Sequence, residues 1–181
     1  MLEKNNITDP VFPLSFKVMR LLWNIFYFIF IKFSPNFLFA YRAMLLRLWG
    51  ARVSKKARVY PTAKIWWPAN LTVEAEATIG PDVYVYNQGN IKIKERAIIS
   101  QRAHLCASTH DYNNRLHPLV LAPISVGKDV WVCTEAFIGP NVNIAEGGVV
   151  GARAVLTKNT EKMGVYAGNP AICIKSREWS Q

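Results

Sequence analysis

The amino-acid sequence predicts an all-β protein: a parallel β-helix of about five coils over residues 53–161, preceded by a helical region (1–52) and followed by a short tail (162–181). Three observations predict it. An aliphatic residue recurs every six positions, a small residue recurs four positions after it, and the register shifts only between blocks of three such hexads.

The N-terminal region comes first. Residues Phe16 to Phe33 form an aromatic and aliphatic run, closed by Ser34-Pro35 and followed by a second helical segment from Phe37 to Trp49. The uncharged core of the run, Leu21 to Ile31, is too short to cross ~30 Å of hydrocarbon as a helix, and no small-residue cleavage site follows it. Two readings remain. One is a helix lying on a bilayer, flanked by Lys17, Arg20 and Lys32, with Arg42 and Arg47 in the second helix. The other is a helical pair packed on the main body or at a subunit interface.

The repeat follows. Position one of the hexads reads Val53, Val59, Ile65, Val73, Ile79, Val85, Ile93, Ile99, Leu105, Val126, Val132, Ile138, Ile144, Val150 and Leu156. Position five holds small residues or valine, among them Ala57, Ala63, Ala69, Ala77, Gly89, Ala97, Ala103, Thr109, Ala136 and Ala154. A hexad supplies one short strand and a turn, and three turns close a triangular coil. Position one then points into the prism and position five fits the crowded corner. Pro61, Pro68, Pro81 and Pro140 fall at positions three or four, where a ladder hydrogen bond is dispensable. Register shifts fall at Leu71-Thr72 and Ile91-Lys92, and an insertion runs from Asp111 to Ser125.

A chain 51% hydrophobic and 19% charged can bury a core of its own, which excludes a disordered polypeptide. Cys106, Cys133 and Cys173 are odd in number and widely spaced, which predicts neither a disulfide framework nor a zinc knuckle and fits a reducing cytoplasm. The net charge of +10 calls for an anionic partner: nucleic acid, an acidic membrane surface or a phosphorylated small molecule. No nucleic-acid-binding motif accompanies the charge, so nucleic acid is not expected.

Glycine stands at position two in Ile79-Gly80, Val126-Gly127, Ile138-Gly139 and Val150-Gly151. With Ser108-Thr-His-Asp-Tyr112, Pro123-Ile-Ser-Val-Gly127, Val130-Trp-Val-Cys-Thr-Glu-Ala136, Val150 to Lys158 and Ala167-Gly-Asn-Pro-Ala171, the chain resembles the left-handed β-helix acyltransferases of the maltose and galactoside acetyltransferase group. Within it the likeness is greatest to the colanic-acid-type polysaccharide acetyltransferases. The resemblance covers nearly the whole chain and implies a left-handed coil, acetyl-CoA as donor, a sugar or lipid-linked glycan hydroxyl as acceptor, and a homotrimer with its site between subunits. The cysteine usage fits a cytoplasmic enzyme, and the aromatic, basic N-terminal region would suit peripheral contact with the inner face of the membrane and a membrane-borne acceptor.

Moving an acyl group from a thioester to a hydroxyl needs a base for the alcohol proton, and histidine suits neutral pH. His110, where the periodicity breaks into the insertion, is that candidate, and the family's catalytic base stands at this place in the motif. Asp111 is a candidate to orient the imidazole or contact the acceptor, and Asn87 a candidate acceptor contact by resemblance. For the donor, the resemblance points to Thr134, Ala152, Thr157 and Lys158 along the helix edge, and Lys175 and Arg177 carry charge for the nucleotide phosphates. Ile172 stands where the family has an arginine. The expected chemistry is direct transfer in a ternary complex, with a backbone amide steadying the oxyanion and no metal.

Two other readings compete. His104, His110 and His117 are the only histidines and would suffice for a catalytic zinc, as in a γ-class carbonic anhydrase; His104 and His110 occupy the same hexad position on successive faces and diverge within one chain, which leaves convergence across a subunit interface. A non-catalytic β-helix assembly subunit is the other.

Overall fold

In the computed structural model, which describes residues 11–179, every position-one residue of the fifteen hexads is buried and ends or centres a short strand. The first ten residues and the last two lie outside the described residues. The strands stack into three parallel faces. The first runs through Val53, Val73, Ile93, Val126 and Ile144, the second through Val59, Ile79, Ile99, Val132 and Val150, and the third through Ile65, Val85, Leu105, Ile138 and Leu156. These are five complete coils of a left-handed β-helix, and the strand Gly164–Ala167 opens a sixth on the second face. The tail then turns back as Ile172–Ser176, antiparallel to it.

Inside, columns of branched side chains meet on the prism axis. Ala57, Ala63, Ala77, Ala97, Ala103, Ala136 and Ala154 are buried at the corners, as the pattern predicts. Residues in the left-handed region recur at position four, Asp82 (φ 56°) and Asn141 (φ 60°) among them. That is the conformation the third residue of a type II turn needs, and it explains Pro81 and Pro140 immediately before, where a fixed φ is pre-set for the turn.

The corner after the third face departs from the six-residue pattern in the first three coils. Ala69 and Thr109, expected to point inward, are exposed; Pro68, Asn87 and Ala107 fill the corner instead. Extra residues there lengthen the next strands to Leu71–Val73, Ile91–Ile93 and Ile124–Val126. The two shifts at Leu71 and Ile91 are therefore added inward-facing positions, with Leu71, Ile91 and Ile124 all buried. Gly89 belongs to this corner because a side chain would bring its Cβ to 2.5 Å from the Ala107 carbonyl.

Each coil donates its N–H groups to the carbonyls of the coil after it: Ser54 to Val73, Tyr60 to Ile79, Trp66 to Val85. The carbonyls of the first coil consequently have no coil to receive from, and buried carbonyls need partners. The N-terminal helices supply them. Helix α1 (Leu14–Phe26, continued by a π turn, Tyr27–Ile31) and helix α2 (Phe39–Leu48) lie across this end. Arg47 Nη1 donates to Val53 O at 3.0 Å, Arg42 Nε to Val59 O at 2.6 Å and Trp23 Nε1 to Ile65 O at 2.9 Å. The three carbonyls are those of the first coil's three position-one residues. Arg42 is wholly buried, its remaining guanidinium nitrogens bound to Ser34 Oγ and the carbonyls of Pro35 and Asn36. The membrane-side role expected for Arg20, Arg42 and Arg47 is thereby corrected: Arg20 donates to Trp66 O, and all three point into the cap, because the open end of the coil needs donors. At the other end Tyr166 O accepts from Gly151 N and Gly168 O from Val155 N.

Candidate active site

The insertion leaves the prism at Ser108, three residues earlier than the sequence suggests. Strand Ser108–His110 pairs antiparallel with Leu119–Leu121, so the excursion is a β-hairpin standing on the corner between the third and first faces. Its base is held by the Ala107 carbonyl, which accepts from Gly89 N (3.1 Å) and Ala122 N (3.0 Å). Its tip is braced by two short turns, in which Asp111 Oδ1 accepts from Asn113 N and Asn114 Oδ1 from Leu116 N, both at 3.0 Å. A mobile-looking sequence of polar residues is thus a built loop.

His110 is exposed at the end of its strand. Its Nδ1 lies 2.6 Å from the carbonyl oxygen of His117, a residue held in the left-handed region (φ 44°) at the far side of the tip. A carbonyl can only accept, so Nδ1 carries the proton and Nε2 presents its lone pair to solvent. This is the tautomer a general base needs. The residue orienting the imidazole is therefore His117, through its main chain. Asp111, a candidate for that task, has its carboxylate turned into the loop on Asn113 N.

Asn87 is a correction. It is 0% exposed, and its amide closes on the Trp67 peptide, Oδ1 accepting from Trp67 N (3.0 Å) and Nδ2 donating to Trp67 O (2.6 Å). Its side chain braces the corner between the first two coils, and an acceptor in solvent cannot reach it.

The donor candidates fall on different corners. Thr157 and Lys158 are exposed on the hairpin's own corner, two coils further along. Thr134 and exposed Ala152 stack on the corner between the second and third faces, below the Gly168–Pro170 turn, and Thr134 Oγ1 donates to Gln101 O in the coil before. Five residues of extended chain separate Ala152 from Thr157, at most about 18 Å. Lys175 is exposed on the returning strand over the second face. Arg177 lies on the third corner, where Nη1 donates to Asp129 O (2.9 Å) and Gly147 O (3.2 Å) and the guanidinium stacks on Trp179 at 3.7 Å. Arg177 anchors the tail, and its guanidinium adds to the pull of Arg96, which holds the Asp129 carboxyl below its ordinary value.

The outer surface of the third face carries a group absent from the sequence-based candidates. Trp66, Tyr84, Tyr86, His104 and Phe137 are half-buried neighbours there, with Tyr84 stacked on His104 at 4.9 Å between ring centres. The same strands lead into the hairpin's corner. The signal was available: the outward positions beside Val85 and Leu105 hold aromatic rings and a histidine where a solvated strand would hold polar residues. Burial pushes Tyr84 and Tyr86 up and His104 down.

The three histidines do not converge. His104 is stacked on Tyr84, while His110 stands on the hairpin bonded to the main chain of His117. No group of three or more His, Cys, Asp or Glu side chains suited to a metal occurs among the described residues.

No protein-family model matches the chain. It is 38% identical over 159 residues to WcaF of Escherichia coli strain K12, named as a colanic acid biosynthesis acetyltransferase, covering 88% of this chain and 87% of that one. Its fold superposes on a galactoside acetyltransferase in complex with coenzyme A (TM-score 0.81, 21% identity, 92% of this chain and 84% of that one). It also superposes on a hexapeptide-repeat acetyltransferase from Vibrio cholerae O1 complexed with acetyl-CoA (TM-score 0.78, 20% identity, 91% and 90%). Repeat, hairpin and sequence identity together show that the chain belongs to the CoA-dependent hexapeptide-repeat acetyltransferases, in the group of the colanic acid biosynthesis enzyme WcaF.

Proposed function

We propose that this enzyme moves an acetyl group from acetyl-CoA to a sugar hydroxyl in the biosynthesis of a surface polysaccharide, with His110 as general base. The observation that carries the reading is the 2.6 Å bond from His110 Nδ1 to the His117 carbonyl, which leaves Nε2 free to take a proton. Nε2 removes the hydroxyl proton as the sugar oxygen bonds to the thioester carbonyl carbon. The carbon–sulfur bond then breaks, and the imidazolium returns the same proton to the departing thiolate. The imidazole ends as it began, and no covalent enzyme intermediate is needed. Cys133 does not suit such an intermediate, since burial pushes its thiol up and disfavours the thiolate.

The donor fits the small, exposed edge residues Ala152 and Thr157 beside Lys158, whose ammonium can meet a phosphate. Ala152 and Thr134 stand on a different corner from the His110 hairpin, which favours a homotrimer in which the hairpin of one subunit faces the donor edge of the next. The ring faces of Tyr84 and Tyr86 next to the hairpin's corner offer a stacking surface for a sugar. The colanic acid role in the name of the relative supports a polysaccharide acceptor, and a cytoplasmic donor pool supports acetylation on the inner side of the membrane. The test is to incubate the protein with acetyl-CoA and a panel of soluble and lipid-linked glycans, and to read added acetyl groups by mass spectrometry. Acetylated glycan is expected; coenzyme A release without acetylated glycan from any of them would contradict the acceptor class.

A further inference from the structure

Helix α1 and its π turn are apolar on two opposite sides, and only one side has a partner. Trp23 and Ile31 are buried and Tyr27 is half-buried, with Trp23 bonded to Ile65 O and Tyr27 Oη to Pro61 O. On the other side Leu14, Val18, Leu21, Ile25, Phe28 and Ile29 recur at helical spacing and are exposed, Leu21 by 58% and Ile29 by 59%. Of the eighteen residues Leu14–Ile31, 11% are buried. An apolar face this continuous on an otherwise water-facing helix marks a contact surface.

The occupant follows from charge. Residues 11–73 contain ten Lys and Arg and no Asp or Glu, so the whole net charge of +10 arises in the helices and the first coil. Arg20, Arg42 and Arg47 are turned into the cap on the carbonyls of Trp66, Val59 and Val53. Lys17, Lys32, Arg52, Lys55, Lys56, Arg58 and Lys64 stay exposed, and none forms an ion pair among the described residues. A second copy docked on this end would bring the same uncompensated charge against itself, which disfavours that pairing. An anionic bilayer supplies both hydrocarbon for the exposed stripe and negative charge for the bases.

We infer that the outer face of α1 and its π turn docks flat on an anionic membrane surface, with the exposed bases of the first coil reaching the headgroups. The expectation that the run is too short to cross a membrane is corrected: the helix continues without a break from Leu14 to Ile31 and is long and apolar enough by length and composition alone. Crossing would require it to leave the prism and strand the Ile65 and Pro61 carbonyls without their donors, so the helix lies in the interface with its inner side on the protein. This goes beyond the transfer reaction and does not depend on it.

The test is sedimentation of the full chain with vesicles of phosphatidylcholine, alone or mixed with phosphatidylglycerol, at low and high salt. Binding is expected to the anionic vesicles only, to fall with salt, and to be reversed by alkaline extraction. Leu21→Ser/Ile29→Ser, both exposed, should lower it at least tenfold with an unchanged melting curve. Lys55→Gln and Lys56→Gln should each lower it about fivefold and flatten the salt dependence. Absence of binding to anionic vesicles, binding indifferent to the Leu21/Ile29 variant, or resistance to alkaline extraction would overturn the inference. So would loss of subunit association in that variant by light scattering, which would assign the face to another copy of the chain.

Discussion

The Nδ1 of His110 and the carbonyl oxygen of His117 lie 2.6 Å apart across the tip of one hairpin, seven residues from each other in sequence. The orienting group is a main-chain atom, so its effect depends on the backbone of residue 117 and not on its imidazole. His117→Ala is expected to keep transfer within about threefold of the parent. His117→Val puts a β-branched residue where φ is 44° and should turn the carbonyl away, lowering kcat by about tenfold or more with little change in either KM. Steady-state kinetics of both variants check this; equal loss in both would mean the side chain matters.

Arg42 answers for the closed end of the prism. Replacing it with Met leaves the buried Val59 carbonyl without its donor, at about 1–3 kcal/mol, while the carbonyls of exposed Pro35 and Asn36 lose a partner that water can replace. Arg42→Met should destabilise by about 2 kcal/mol or more in urea unfolding. Arg42→Lys should recover little, because an ammonium cannot span the fork.

These two relationships mark what the sequence could and could not show. The period of six made the coils and their inward residues readable, because burial constrains position one on the prism axis and position five at the corners. The corner after the third face was misread at Asn87 and Thr109, since there extra residues break the period and a polar side chain satisfies the turn from within. His110 was readable as a residue type at a break in the pattern. Its partner was not, because a carbonyl has no letter in the sequence. The cap was hidden for a similar reason: the arginines resembled membrane flanks until the direction of the coil hydrogen bonds left the first coil's carbonyls in need of donors.

His104 gives the fold a pH dependence. Its imidazole is held below the ordinary value by burial, and Nε2 is buried without a hydrogen-bond partner. As pH falls, the unfolded chain takes up the proton first, near about 6.5, while the folded chain resists it. The stabilisation is therefore complete above about 6.5 and is lost as pH falls toward the folded value. Melting temperature should drop between pH 7.5 and pH 5 and drop less in His104→Phe. Parallel curves for the two proteins would assign the dependence elsewhere.

The donor edge can be tested by obstruction. Ala152 is exposed, so a large side chain there should leave the fold intact. Ala152→Trp is expected to raise KM for acetyl-CoA about tenfold while KM for the acceptor stays within about twofold, and Lys158→Ala should shift the same constant in the same direction. An effect confined to the acceptor would move the donor to a different edge.

The most direct measurement is acetyl transfer by His110→Ala beside its affinity for coenzyme A. Removal of Nε2 should lower kcat by about 10²-fold or more, the scale of general base catalysis, with coenzyme A bound as tightly as by the parent. Parent-like turnover in that variant would contradict the assignment of His110 as the base.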